Sequence, residues 1–196
     1  MQGFYVQDSI FLWTSEPHSK NTPLPWGSNN ELLQTGGLRY NAKNTIFMAT
    51  PLLSSPVIDS RYTPFRLLIR ESKIHHRGVY AGEHIPTGRK VIEYTGEKIG
   101  RRETKRRGQG SLTYLFTLDN YWTIDGSVGG SGAEIINHSC DPNLRSSIFK
   151  GHILYWSKRA IRPGEELTLD YLFSKKIDPV PCSCKAAVCR GTINVK

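Results

Sequence analysis

Apolar and polar residues alternate over short stretches from Phe65 onward, and glycine, proline and asparagine separate these stretches. The stretches are rich in β-branched and aromatic residues and too short for ordinary helices, so they are typical of strands. We predict strands at residues 66–70, 79–81, 91–94, 112–118, 121–124, 148–149, 152–157 and 166–169. The pattern therefore predicts a mostly β fold of several small sheets with few short helices.

Helical periodicity is weak along the chain, and the basic stretch at residues 98–107 is the best helix candidate. Residues 1–64 differ from the rest because they are rich in turn formers such as serine, proline and asparagine. We interpret residues 1–64 as an N-terminal flank to which the sequence assigns no function.

The composition supports one globular core. The chain has 196 residues, of which 38% are hydrophobic and 10% aromatic, and these values argue against wholesale disorder. It contains no run of 18 apolar residues, so we expect no membrane-spanning segment. The first residues lack a basic region followed by an apolar one. We therefore expect a protein that is not secreted, with reduced cysteines.

The formal net charge of +9 favours acidic partners such as nucleic acid or complexes that contain it. Part of this charge is concentrated in residues 98–107, where Arg101-Arg102 and residues 105–107 are consecutive basic side chains. Three interpretations remain open: a solvated helix face, a patch that contacts phosphates, and a nuclear localisation signal.

Two polar segments each follow an apolar stretch. The segment Asn-His-Ser-Cys-Asp-Pro-Asn at residues 137–143 follows Ile135 and Ile136, and Asp170-Tyr171 follows residues 167–169. Asparagine, histidine and aspartate beside a core must find hydrogen-bond partners. The two segments therefore predict a functional site.

The chain contains four cysteines, at Cys140, Cys182, Cys184 and Cys189. Four thiolates are the ligand set of a closed tetrahedral zinc site. The C-x-C spacing of Cys182 and Cys184 lets both sulfurs approach one ion from the same side of a turn, whereas a disulfide between them would be badly strained. Unligated thiols remain the alternative to zinc.

These features in their order, with the C-x-C-x4-C-Arg-Gly pattern at residues 182–191, resemble the SET-domain protein lysine methyltransferases that carry a post-SET zinc segment. The resemblance runs from about Ile74 to the C-terminus. It implies a SET domain at residues 65–174 and a post-SET segment at residues 178–196. It also implies a C-terminal pseudoknot that brings the two polar segments together, and it makes Cys140 the fourth ligand of the zinc loop.

The family's methyl donor is S-adenosylmethionine, and residues 74–81 resemble the Gly-x-Gly segment whose main chain holds the methionine end. The resemblance implies that His75, Arg77 and Gly78 contact the cofactor, although His76 replaces the first glycine. Without the family, this segment is a strand entry with a turn glycine, and His75 is a surface histidine.

Asn137 and His138 match family positions that contact the cofactor, and Tyr114 matches a tyrosine between the cofactor and the lysine channel. The alternatives are a purely structural polar cluster and an aromatic residue in an amphipathic strand. Glu134 stands where many members have a basic residue, and Ile135 where they have an aromatic one. We expect both changes to alter cofactor affinity.

Tyr171 matches the catalytic tyrosine of the family, and the resemblance implies a substrate channel lined by Tyr114, Leu169 and Tyr171. A buried structural tyrosine is the alternative. Leu169 occupies the family's phenylalanine/tyrosine switch position. Because leucine cannot hold a water there, the resemblance implies di- or trimethylation, unless Leu169 is only a core residue.

We therefore predict methyl transfer from S-adenosylmethionine to the side-chain amine of a protein lysine, with zinc as a structural ion. The predicted substrate is a histone tail or another lysine-bearing protein, with nucleosomal DNA contacting residues 98–107. The predicted location is the nucleus or chromosome in a eukaryote, and the cytoplasm otherwise. A non-catalytic SET-like module that binds chromatin is the alternative. The sequence predicts no oligomeric state.

Overall fold

A computed structural model describes residues 56–109 and 112–195. Most of the predicted N-terminal flank, residues 1–55, lies outside the described residues. No helix in the described part of the chain has the length and hydropathy needed to cross a membrane.

The elements are mostly short strands. In chain order they are β1 (Leu67–Glu71), β2 (Arg77–Ala81), β3 (Lys90–Tyr94), β4 (Glu97–Gly100), α1 (Arg101–Arg107), β5 (Leu115–Thr117), β6 (Trp122–Asp125), a 3-10 turn (Ala133–Ile135), β7 (Asn137–His138), β8 (Leu144–Phe149), β9 (His152–Ser157) and β10 (Thr168–Leu169). Within the described ranges α1 is the single α-helix. The prediction of a mostly β fold with few short helices is confirmed.

The strands form four small sheets within the described residues. Strands β1 and β2 make an antiparallel pair, and two three-stranded antiparallel sheets have the orders β3-β9-β8 and β4-β6-β5. Strands β7 and β10 pair in parallel. The prediction of several small sheets is therefore also confirmed.

One hydrophobic core connects these sheets. Strand β2 contributes Val79 and Ala81, and β3 contributes Val91 and Ile92, all fully buried. Leu167, just before β10, is equally buried. Full burial of a side chain as large as valine or leucine contributes about 1.5–3 kcal/mol. The core thus fixes the strands from which the polar segments extend.

The helix predicted at residues 98–107 was wrong at its start. Glu97–Gly100 is strand β4, which pairs with β6 and buries Ile99, and the helix begins only at Arg101. Burial of Ile99 beside β6 overrides the weak helical preference of these residues.

Most predicted strands differ from the observed ones at one or both ends, and in three of them long-range contacts decide the bounds. Strand β5 begins only at Leu115, since the carbonyl of Tyr114 accepts a hydrogen bond from the Gly126 N–H at 2.8 Å outside the ladder. Strand β8 begins earlier than predicted, at Leu144, because its polar residues pair with β9. The last strand shrinks to Thr168–Leu169, because Leu167 donates to the Val79 carbonyl at 2.7 Å.

Candidate functional site

The parallel pairing of β7 with β10 brings the two polar segments together. Asn137 lies opposite Thr168, and His138 lies opposite Leu169. The Ser139 N–H continues the ladder and donates to the Leu169 carbonyl at 3.0 Å. Parallel neighbours need a long crossover connection, so this contact is decided by the tertiary fold.

Asn143 fixes the second segment against the first. Its side chain is 2% exposed, its Nδ2 donates to the Glu166 carbonyl at 2.8 Å, and its Oδ1 accepts from the Thr168 N–H at 2.9 Å. A buried amide that bridges two backbone groups is satisfied only in this arrangement. Asn143 therefore holds the strand that leads to Asp170 and Tyr171.

Asn137 connects β7 to the segment that resembles Gly-x-Gly. Its Nδ2 lies 3.2 Å from the His75 carbonyl oxygen, 3.0 Å from the Arg77 carbonyl oxygen and 2.9 Å from Glu166 Oε1. Gly78 allows this approach, because a Cβ there would lie 2.2 Å from Glu166 Oε1. The backbone of His75, Arg77 and Gly78 thus lies against Asn137.

His76, which replaces the family's first glycine, has φ +40°. This left-handed conformation suits glycine and costs about 1–2 kcal/mol in other residues. The chain therefore keeps the glycine-like backbone path with a strained histidine. Burial lowers the pKa of His75 below its ordinary value, and the neighbouring His76 adds a smaller effect in the same direction.

His138 lies between the Asp-Tyr pair and the cysteines. Its Nδ1 accepts from the Tyr171 N–H at 3.2 Å, and its Nε2 lies 3.4 Å from Cys140 Sγ. Burial is the main cause that lowers the pKa of His138 to about 4, so the ring is neutral near pH 7. Since Nδ1 accepts, the proton of the neutral ring is on Nε2 and faces the sulfur.

Tyr171 is held from several sides. Its hydroxyl donates to the Ile136 carbonyl at 2.8 Å, and its ring centroid lies 5.4 Å from that of His138 and 5.7 Å from that of Phe173. Burial, with smaller effects of Tyr114 and Glu166, raises the pKa of Tyr171 well above its ordinary value. The phenol therefore stays protonated and remains a hydrogen-bond donor.

The other predicted channel residues lie in the same part of the fold. Tyr114 is half-buried, and burial, with a smaller effect of Glu134, raises its pKa. The Tyr114 phenol in turn contributes to the raised pKa of Tyr171. Leu169 is 4% exposed and belongs to the core cluster against which Tyr171 packs. Its burial fits both a channel wall and a core residue.

Asp170 is paired with the C-terminal segment. Arg190 forms two hydrogen bonds to its carboxylate, at 2.7 and 2.9 Å, and the Leu172 N–H donates to Oδ1 at 3.1 Å. Burial opposes ionisation, but Arg190 and the Leu172 N–H hold the pKa of Asp170 below its ordinary value. Arg190 and the Leu172 N–H thus hold the Asp170 carboxylate in place.

The four cysteines converge. Their sulfurs all lie within 4.8 Å of one another, with Cys140 Sγ 3.7 Å from Cys182 Sγ and 4.0 Å from Cys189 Sγ. Sulfurs at the corners of a tetrahedron around zinc, with bonds of about 2.3 Å, are about 3.8 Å apart. None of the four cysteines forms a disulfide, and the arrangement of their sulfurs fits a zinc ion.

Backbone N–H groups also point at these sulfurs. The Arg190 N–H donates to Cys140 Sγ at 3.4 Å, and the Cys140 N–H donates to Cys184 Sγ at 3.4 Å. Burial works against ionisation, yet the N–H groups of Cys140 and Ala186 bring the pKa of Cys184 down to about 6. Such donors stabilise thiolates, the form that a metal requires.

Two important residues were not predicted from the sequence. Neither Glu166 nor Arg190 was predicted to hold a site residue, yet Glu166 contacts Asn137 and Arg190 pairs with Asp170. The position of Glu166 directly before Leu167 and of Arg190 beside Cys189 marked both as parts of the motifs. Their partners are distant in sequence, so the motifs alone did not reveal them.

The sequence of the chain is similar to those of known histone-lysine N-methyltransferases. The chain is 33% identical over 196 residues to the histone-lysine N-methyltransferase trithorax of Drosophila virilis, covering 94% of this chain and 5% of that protein. It is 39% identical over 140 residues to the histone-lysine N-methyltransferase TRX1 of Oryza sativa subsp. japonica, covering 66% of this chain and 14% of that protein. A third relative, an H3 lysine-4 specific histone-lysine N-methyltransferase of Schizosaccharomyces pombe, is 39% identical over 133 residues, covering 63% of this chain and 14% of that protein.

The chain thus spans 5% to 14% of the length of these relatives. Residues 76–172 match the family model described as the SET domain. This range includes residues 76–81 of the Gly-x-Gly-like segment and both polar segments that β7 and β10 bring together. Since the relatives share this region and the matched range contains both polar segments, the chain belongs to the SET-domain family.

Proposed function

We propose that this chain is a protein lysine methyltransferase that uses S-adenosylmethionine and acts on a histone. We propose residues 65–174 as its catalytic domain and residues 178–196 as its post-SET segment. The observation that supports this most is the β7–β10 pairing, which gathers Asn137, His138 and Tyr171. The three relatives named above are all histone-lysine N-methyltransferases, which supports the same activity.

When bound, S-adenosylmethionine supplies the methyl group, which a neutral lysine amine accepts while the sulfonium becomes a thioether. Free lysine has a pKa near ~10.4, so about one amine in a thousand is neutral at pH ~7.4. The buried Leu169 and the partly buried rings of Tyr114 and Tyr171 disfavour the charged ammonium and favour the reactive form. The Tyr171 hydroxyl, which stays protonated, orients the reacting groups, and their alignment lowers the barrier.

Zinc held by Cys140, Cys182, Cys184 and Cys189 orders the C-terminal segment in this proposal. Arg190, next to one ligand, then holds Asp170 and so the backbone of Tyr171. The Phe173 carbonyl accepts from the Val195 N–H at 2.9 Å, so the same segment also covers the chain after Tyr171. The metal thus supports the site without taking part in the chemistry.

The proposed substrate class and location follow from charge and relatives. Helix α1 presents Arg101, Arg102 and Lys105 to solvent, and no described residue forms an ion pair with any of them. Lys98 lies 4.6 Å from the centroid of the exposed Trp122 ring. We propose that this basic surface contacts nucleosomal DNA and that the protein acts in the nucleus. Histone H3 is the first substrate to test, because it is named for one relative.

A labelled-donor assay tests the proposal. The chain is incubated with labelled S-adenosylmethionine and free histones, nucleosomes or total extract, and mass spectrometry identifies the modified lysines. Labelled histone lysine supports the proposal. Absence of labelled protein in all three, with folded and zinc-loaded protein, contradicts it.

The strained His76 favours a second candidate function, a non-catalytic module that binds chromatin, because it lies in the proposed cofactor surface. Thermal unfolding separates the two candidates. Ligand at about 100 times its Kd stabilises a protein by ~2.7 kcal/mol. An enzyme is therefore stabilised by millimolar S-adenosylmethionine, and a module without a cofactor pocket is not.

A further inference from the structure

The carboxylate of Glu166 has hydrogen-bond partners from three separate parts of the chain. Oε1 accepts from Ser72 Oγ at 2.7 Å and from Asn137 Nδ2 at 2.9 Å, and Oε2 lies 3.0 Å from the Tyr80 hydroxyl. These partners lie after β1, in β7 and in β2. A carboxylate held by several donors has one preferred position.

The backbone is shaped to admit this carboxylate. Besides the contact with Oε1, a Cβ at Gly78 would lie 3.0 Å from Glu166 Cδ and 3.1 Å from Asn137 Nδ2. Gly78 is buried and its φ is not positive, so close approach, not backbone conformation, is what requires glycine there. Glu166 and Asn137 thus lie together directly on the proposed cofactor-binding strand.

The contacts of Asn137 decide which end of its amide is available to a ligand. Nδ2 faces three oxygens, those of His75, Arg77 and Glu166, although it has only two hydrogens. Among the described residues, none donates a hydrogen bond to Asn137 Oδ1. The amide therefore offers an acceptor, which suits an N–H donor such as an ammonium group.

We infer that Glu166 is a positioning residue that fixes the Asn137 amide so that Oδ1 accepts from the α-ammonium group of S-adenosylmethionine. This inference rests on the proposed function. An ammonium group also competes with Asn137 Nδ2 for the two carbonyls, since each is a good acceptor. Glu166 Oε1 then keeps Nδ2 engaged, and the amide does not rotate to present its donors to the cation.

Binding measurements with two ligands test the inference without relying on turnover. S-adenosylhomocysteine carries the α-ammonium group, whereas 5′-methylthioadenosine has the same nucleoside thioether without the amino acid. We expect Glu166→Ala to weaken S-adenosylhomocysteine binding at least ~10-fold, or ~1.4 kcal/mol, and to change 5′-methylthioadenosine binding less than ~2-fold. Glu166→Gln, which keeps an acceptor for Nδ2, restores most of the affinity.

A double-mutant cycle tests whether Glu166 acts through Asn137. In an Asn137→Ala background, Glu166→Ala then weakens S-adenosylhomocysteine binding by less than ~2-fold further. Equal losses for both ligands, or additive losses in the cycle, overturn the inference. If Glu166→Ala does not fold, Ser72→Ala takes its place, because it removes only the hydrogen bond from Ser72 to Glu166 Oε1. We then expect a smaller loss of S-adenosylhomocysteine binding, again without a matching loss of 5′-methylthioadenosine binding.

The unmutated chain separates this inference from the proposed function. If it binds neither S-adenosylhomocysteine nor S-adenosylmethionine, the methyltransferase proposal itself fails, and the inference with it. If it binds S-adenosylhomocysteine and Glu166→Ala shows no selective effect, only the role of Glu166 is overturned.

Discussion

Tyr171 combines a buried phenol with a fixed acceptor, the Ile136 carbonyl. We expect Tyr171→Phe to reduce single-turnover methylation at least ~10-fold, a loss of ~1.4 kcal/mol in transition-state stabilisation. Rapid-quench measurement with saturating cofactor checks this. Tyr155→Phe is the matched control, because Tyr155 is another buried tyrosine, in the core. Wild-type rates for Tyr171→Phe would remove Tyr171 from the mechanism.

Leu169 is predicted to set the number of methyl groups added. A tyrosine there would hold a water in the channel and take up space that a methylated amine needs. One ordered water is worth ~0–2 kcal/mol, up to ~30-fold in product preference. We therefore expect di- or trimethyl-lysine from the unmutated chain and mainly monomethyl-lysine from Leu169→Tyr, read by mass spectrometry.

Leu169→Met is the control for this prediction, since it conserves volume without adding a hydroxyl. Its products should match those of the unmutated chain. If the unmutated chain yields only monomethyl-lysine after exhaustive reaction, Leu169 is simply a core residue.

The left-handed conformation of His76 predicts a stabilising substitution. His76→Gly should raise the free energy of unfolding by about 1 kcal/mol, because glycine adopts φ +40° without a Cβ clash. This corresponds to a Tm increase of roughly 2–4 °C for a chain of this size. His76→Ala keeps the strain and removes the ring, so it should not raise Tm. If both variants raise Tm equally, loss of the imidazole ring explains the increase, and relief of backbone strain does not.

The C-terminal segment is the element that we expect to depend most on a metal. Between residues 174 and 195 the described chain has only isolated bridges, such as Pro181 with Thr192, instead of regular strands. Metal binding supplies the folding energy of such segments. Arg190 and Val195 link this segment to the chain around Tyr171.

We therefore expect Cys184→Ser, or removal of zinc by a chelator, to abolish methylation while the β-rich domain stays folded. Far-ultraviolet circular dichroism reports the fold, and zinc content measured by elemental analysis reports the loss of metal. Ser183→Ala, a neighbouring substitution outside the ligand set, should leave methylation and zinc content unchanged. Full activity of the zinc-free chain would contradict the proposed dependence on the segment.

The overall charge leads to a prediction about chromatin binding. Counterion release makes binding to double-stranded DNA salt-dependent, and the slope of this dependence falls by about one for each phosphate that the protein no longer neutralises. Arg101→Ala with Lys105→Ala should weaken nucleosome binding and reduce this slope by up to ~2. The control pair, Lys150→Ala with Lys158→Ala, removes the same charge from another exposed part of the chain. Equal effects of both pairs would indicate attraction by net charge alone, without a defined basic surface.

Local patterns predicted the fold class and most strands, because alternation of apolar residues encodes which face of a strand is buried. They failed where distant contacts decided the outcome. Residues 97–100 became a strand because β6 lies beside them, and the polar residues of β8 became a strand because β9 pairs with them. Neither partner is visible in a local window of sequence.

The resemblance to the SET-domain family supplied the expected methyl-transfer chemistry. The amino-acid order alone predicted a zinc site from four cysteines, and a functional site from two polar segments that require partners next to a core. These conclusions depend on residue types and short spacings, which do not change on folding. The tertiary structure decided that β7 lies parallel to β10, that Glu166 holds Asn137, and that Arg190 holds Asp170. Such contacts form only when segments far apart in the chain pack around one shared core. Only the folded molecule brings those segments within hydrogen-bond distance.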